Sequence, residues 1–391
     1  MNKYVFTVYK NTINKRNIFL FCIYFLFFFF NGPLEQSIAL YFDFKGVSTA
    51  IYGIFLALNN GIDIILPTAI AYFTIKSNYK LVTTAGLLLT IISGILIGIA
   101  SGNLVIVCLA LIMFMGRSFF NFSFGSVVTA NLPSKNRANY FVIRDLFLYS
   151  GISIGLFVAS IIIAKANISY VYILFSIGLI SVVCLILFDK SIDLSDKRER
   201  QSKAPFKFSF LKNKTVFSLI LIQCLKMIYG SCIVFVPLLG TKLGINYNKI
   251  LTTFALVGVV NVLVSFVFSY ISNEKGKKGF YIVDIAIDII PCLLFAISDH
   301  FIIYILGIVV STIKDAFAPI SFAYLYECLD ENTTITMLGI IESASNILGI
   351  LVPIIVGMLW EYSYRSVFLL GAVACGIAVI IGVKNLPDIK I

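Results

Sequence analysis

Long apolar runs separated by short polar breaks set the pattern of this chain. Twelve runs stand out, at residues 17–42, 48–75, 81–100, 103–132, 137–164, 168–188, 215–240, 247–272, 279–298, 301–328, 334–360 and 364–384. Each is long enough for a helix to cross a hydrocarbon core about 30 Å thick, which takes roughly 20 residues. One polar connection is long, DKSIDLSDKRERQSKAPFKFSFLKN at 189–213, and it falls between the sixth and seventh runs. The pattern predicts an all-α integral membrane protein of twelve transmembrane helices. Its parts are a six-helix bundle at 1–188, a central loop at 189–213 and a second six-helix bundle at 214–391.

Composition agrees. Of the 391 residues 60% are hydrophobic and 13% charged, against about 25% charged in soluble domains. The net charge of +11 is scattered over short segments between apolar runs, so it reads as topology, with no nucleic-acid surface indicated. With the N-terminus inside, twenty-one Lys and Arg fall on inner segments and five on outer ones, while Arg117, Arg144, Lys226 and Lys314 lie within runs. Positive charge favours the cytoplasmic face, which puts both termini in the cytoplasm and the protein in the plasma membrane. Cysteines 22, 108, 184, 224, 232, 292, 328 and 375 show no metal-ligand spacing, and no cofactor is implied. The basic N-terminus leads into an apolar run without a small-residue cleavage site, so the first run reads as a retained span.

The stretch FFFFNGPLEQ at 27–36 carries a carboxylate straight after four phenylalanines. Counted from Asn17 at ~1.5 Å per residue, Glu35 lies about 27 Å along the first span, within the membrane. Asn31-Gly32-Pro33 breaks a helix, which a spanning segment tolerates when neighbouring helices or water satisfy the freed carbonyls. Glu35 either faces an internal cavity beside this kink or reaches headgroup water at the outer interface. The Phe run itself faces lipid or neighbouring helices, or forms an aromatic wall for a substrate.

Ten further ionisable groups lie within spans: Asp63, Arg117, Arg144, Asp145, Lys226, Asp284, Asp288, Lys314, Asp315 and Glu342. Each is costly in hydrocarbon and therefore a functional candidate. Asp284 and Asp288 are four apart and share a helix face. An offset of 197 residues superimposes Lys80 on Lys277, Arg117 on Lys314 and Asp145 on Glu342, like charge on like charge. Copies of six spans run parallel, so the two bundles are expected to be related by pseudo-symmetry about an axis along the membrane normal.

Ser269-Tyr-Ile-Ser-Asn-Glu-Lys-Gly-Lys-Lys278, between runs eight and nine, resembles the Gly-x-Leu-Ala-Asp-Arg-x-Gly-Arg-Lys loop of the major facilitator superfamily. Pro133-Ser-Lys-Asn-Arg137 resembles that family's Pro-x-x-x-Arg turn, and Gly151-x-x-x-Gly155 its small-residue packing face. Asn273 stands where the family has Asp, and Gly155-Leu156 where drug/proton antiporters have Gly-Pro. The resemblance implies that spans 1, 4, 7 and 10 line a central cavity and that span 9 is peripheral. Glu35, Arg117, Lys226 and the Lys314-Asp315 pair would then all sit on cavity-lining helices.

A carboxylate in such a cavity changes protonation as its surroundings dry or as a cation approaches. Glu35, Asp63 and Asp315 are the candidates for proton coupling. Arg117, Lys226 and Lys314, with Asn59 and Asn60, are candidates for the substrate cavity, the three bases serving either a substrate anion or an internal ion pair. Asp145, Glu342, Gly276, Lys277 and Lys278 are gate candidates, and Asp284 and Asp288 suit a packing contact with a neighbouring helix. The expected function is secondary active transport by a monomer, with a small molecule and protons as partners: proton-coupled export of an amphiphilic solute or drug. The alternatives are proton-coupled uptake of an anionic or zwitterionic metabolite and lipid flipping on the same fold. No phosphate-binding loop or His-Glu-x-x-His motif supports a pump or an enzyme.

Overall fold

The computed structural model describes residues 15–76, 79–130, 137–188, 213–271, 277–315, 321, 324–325, 328 and 334–387. Among them all regular structure is helical. The helices are α1 (Lys15–Gln36), α2 (Ile38–Phe44), α3 (Thr49–Lys76), α4 (Tyr79–Ile99), α5 (Asn103–Ala130), α6 (Arg137–Lys165), α7 (Ile168–Phe188), α8 (Lys214–Ile233), α9 (Val236–Lys242), α10 (Tyr247–Ile271), α11 (Lys277–Ile287), α12 (Ile289–Ala296), α13 (Phe301–Asp315), α14 (Thr334–Tyr362) and α15 (Tyr364–Asn385). Ten helical segments among the described residues are long and apolar enough to cross a membrane. The other two of the twelve expected spans coincide with α10 and with α13, the latter a shorter apolar helix.

Two compact units emerge. The first draws on Met1–Gly46, Ile65–Arg200 and Phe254–Val259, the second on Val47–Ile64, Gln201–Thr253 and Val260–Ile391. In the first, α1 packs on α6 and α7, while α4 packs on α5 and α7. In the second, α8 packs on α14 and α15, while α12 packs on α13 and α15. The first part of α3 also belongs to the second unit, where Asn60 donates to the Gly349 carbonyl at 2.6 Å and Gly53 lies against Pro353 and Gly357 of α14.

The helix of the first span continues through Asn31-Gly32-Pro33 and is interrupted just after them. Pro33 has no N–H to give the Phe29 carbonyl, and one turn later the helix breaks at Ser37 between α1 and α2. A neighbour repairs the break: the Tyr172 hydroxyl of α7 donates to the Leu34 carbonyl at 3.0 Å. The Phe29 carbonyl faces Gly155, where a Cβ would collide with it, and the Phe25 carbonyl meets Gly151 in the same way. The Gly151-x-x-x-Gly155 face of α6 thus lets two backbones approach closely. The Phe run packs between helices, with Phe27 fully buried and stacked on Phe120 at 3.7 Å, and Phe29 and Phe30 against Phe175.

Both α2 and α9 end on a glycine in the left-handed region, Gly46 at φ 72° and Gly244 at φ 73°. A side chain there would strain the turn, so glycine is the residue that stops each helix sharply.

Candidate functional site

In the first unit, Glu35 lies half a turn before the break in the first span, and α5 brings Arg117 to it. Arg117 Nη1 donates to Glu35 Oε1 at 2.5 Å, and the two side chains keep 25% and 28% of their exposure. The guanidinium also lies over the Phe114 ring, 5.7 Å from its centre. Arg117 Nε is buried without a hydrogen-bond partner among the described residues. Glu35 therefore sits inside the span, engaged by a base from the fourth. A partly exposed pair of this kind can open toward a polar ligand, because water or the ligand replaces the lost contact.

The second unit holds a denser group. Lys226 of α8 donates to Asp284 Oδ2 of α11 at 2.8 Å, and Ser321 donates to the same oxygen at 2.8 Å. Lys314 of α13 stands 3.4 Å from Asp288 Oδ1. The acids are closed from solvent, with 1% and 0% of their side-chain exposure left, while the lysines keep 19% and 16%. Aromatic rings complete the surroundings: Lys226 lies 6.0 Å from the Tyr281 ring centre and Lys314 lies 5.2 Å from that of Tyr229. Pairing and ring contact lower the cost of these charges in an apolar bundle.

Local sequence explains the placement of Asp288. Pro291, in the first turn of α12, cannot donate to the Ile287 carbonyl. The ninth span accordingly splits into α11 and α12, and Asp288 occupies the junction. Asp284 lies one turn earlier, so the spacing of four brings both acids to the lysines even across the break.

Each midplane base that the sequence offers for substrate or counter-ion contact thus has an acidic partner. The ninth span, expected to be peripheral and to make a packing contact, makes that contact through charge and supplies both acids for Lys226 and Lys314. The signal was present in the sequence as two acids and two bases in the same half, but their pairing needed the helix positions. Ser321, Tyr229 and Tyr281 carry no such signal.

The remaining candidates are dispersed. Asn60 bonds α14, and Asn59 is buried with Oδ1 unpartnered among the described residues. Asp63 is half-buried on α3. Asp145 accepts from its neighbour Arg144 at 2.6 and 2.8 Å, and the Arg144 guanidinium lies 5.9 Å from the Tyr24 ring centre. Lys278 is half-buried at the start of α11. Gly276 lies outside the described residues, as do the side chains of Lys277, Asp315 and Glu342.

Helices of this length with ion pairs inside them define a polytopic membrane protein. Residues 17–313 match the model of the Major Facilitator Superfamily, more than half of the chain, and the protein belongs to that family. It is 22% identical over 240 residues to a class H tetracycline resistance protein of Pasteurella multocida, a match covering 59% of this chain and 60% of that relative's length. The fold is similar to that of a point mutant of the nucleoside transporter NupG, with a TM-score of 0.78, 14% identity and coverage of 95% of this chain and 100% of the other. It is also similar to a D-xylose–proton symporter, with a TM-score of 0.74, 13% identity and coverage of 95% and 98%. Sequence and fold thus agree on the superfamily.

Proposed function

We propose that the chain is a proton-coupled secondary transporter that exports a small amphiphilic solute across the plasma membrane by alternating access, with both termini cytoplasmic. The observation that carries this reading is the pairing of the intramembrane bases. Arg117, Lys226 and Lys314 each meet a carboxylate. The uptake of an anionic metabolite would require these bases to receive the solute, and their engagement with acids speaks for an uncharged or cationic amphiphile instead. The relative's tetracycline resistance favours the same direction. Paired carboxylates also suit coupling, since a proton can replace the cation when a conformational change separates the pair.

The same reading includes a duplicated architecture of two parallel six-helix halves. Helix packing supports it: α1 on α6 and α7 repeats as α8 on α14 and α15, and α4 on α5 and α7 repeats as α12 on α13 and α15. Gly46 and Gly244 close the first span of each half with the same backbone turn.

The experiment is proton flux in sealed proteoliposomes containing a pH-sensitive dye, challenged with tetracycline, other cationic drugs, sugars and organic anions. Drug-evoked flux in the export direction is expected. Solute movement without proton movement would refute the coupling, flux evoked by organic anions alone would select uptake, and activity confined to labelled lipid would select a flippase.

A further inference from the structure

Two carboxylates one turn apart on the ninth span are held in different ways. Asp284 accepts two hydrogen bonds on one oxygen, from Lys226 and from Ser321, both at 2.8 Å. Asp288 is completely closed from solvent, stands 3.4 Å from Lys314 and faces the Tyr229 hydroxyl, but neither of its oxygens accepts a hydrogen bond of good geometry among the described residues. A buried carboxylate without hydrogen bonds is poorly compensated as an anion. From this contrast we infer that Asp288 is the carboxylate that takes up and releases the transported proton, with Lys314 as its exchangeable counter-ion and the Asp284–Lys226–Ser321 group as a fixed anchor. The inference rests on the proton-coupled reading above and adds the site of coupling, which the sequence places instead at Glu35, Asp63 or Asp315.

The surroundings fit this division of labour. The groups facing Asp288 are Lys226 and Tyr229 from α8, Lys314 from α13, Cys375 from α15, and Asp284 and Cys292 from its own span. With both pairs formed, two cations balance two anions. The Tyr229 ring, 5.2 Å from Lys314 Nζ, offers the ammonium a second seat. As Lys314 moves onto that face, one proton from the aqueous side to which the site opens adds to a carboxylate oxygen of Asp288, so the acid is neutral while its counter-ion is away, and the one positive charge the site gains rests on the ammonium against the ring. The proton leaves when Lys314 returns. At the junction between α11 and α12 the Ile287 carbonyl lacks its helical donor because Pro291 has no N–H, so rotation of one half-helix there would break no such bond and would change the Asp288–Lys314 distance while the anchor holds the other.

The test is pH-difference infrared spectroscopy of the full chain reconstituted in lipid, which reads a protonated carboxyl group without any solute. A titrating carboxyl band is expected in the wild type. It should be lost in Asp288→Asn, shifted in frequency in Asp288→Glu and altered in its titration by Lys314→Gln, while Glu35→Gln and Asp63→Asn leave it in place. The neutral pair Asp288→Asn with Lys314→Gln removes the band without leaving a lone buried cation, should the single variant not fold. A band that survives in that pair, or that vanishes in Asp63→Asn or Glu35→Gln, overturns the assignment while coupling stands. Wild-type transport without proton flux overturns the coupling reading and the role of Asp288 with it.

Discussion

The Glu35–Arg117 pair of the first unit and the four-residue group of the second show two ways of keeping charge among apolar helices. The first joins a carboxylate to a guanidinium, with about a quarter of each side chain exposed. The second closes both carboxylates completely and leaves part of each lysine exposed. The difference sets what each can do. Water or a ligand can replace either partner of the exposed pair, so it can open at small cost and suits contact with solute. Nothing can replace a partner of the closed group except another protein group or a proton. Separation there costs several kcal/mol unless the charge itself is removed.

The contrast can be tested by breaking the pairs in order of burial. Asp284→Ala strands Lys226 and should destabilise the protein by about 3–5 kcal/mol, read as a large fall in Tm in detergent. The paired replacement of Asp284 by Leu and Lys226 by Met should recover most of that loss, and a failure to recover would mean that the pair holds the helices by more than compensated charge. Gly155→Leu changes no charge but drives a side chain into the Phe29 carbonyl and Pro33. Overpacking of this kind costs about 1–3 kcal/mol, so a larger fall in Tm than that of Glu35→Gln would show that packing, rather than the ion pair, holds the first unit together. Glu35→Gln itself should cost no more than about 1 kcal/mol, in keeping with a partly exposed pair. A loss matching that of Asp284→Ala would erase the distinction between the two groups. The Asp299–Arg365 pair, at 2.7 Å with more than half of each side chain exposed, closes the series. Asp299→Asn should leave Tm unchanged within error.

Much of this was legible along the chain. Pro33 and the glycine before it announced an interruption of the first span, which falls one turn later at Ser37, and Gly151 with Gly155 announced a close approach to another helix. Glu35 and Arg117 were both read as membrane groups on helices lining a cavity, but only their positions on α1 and α5 make them partners. The ninth span was the harder case. Its two acids were visible, four residues apart, yet nothing in their spacing says which helix faces them. Pro291 was the overlooked signal, since it forces the junction on which Asp288 sits.

By itself the sequence determined that the chain is solvated by lipid, that its apolar runs form helices, and which of those runs carry charge. Those properties follow from composition and local backbone chemistry, because each spanning helix satisfies its own hydrogen bonds and must be apolar over a fixed length. Tertiary structure decided the pairing: Lys226 with Asp284, Lys314 with Asp288, Arg117 with Glu35. A charge in hydrocarbon requires a partner but does not specify one, and the choice is made by which helix faces packing brings together.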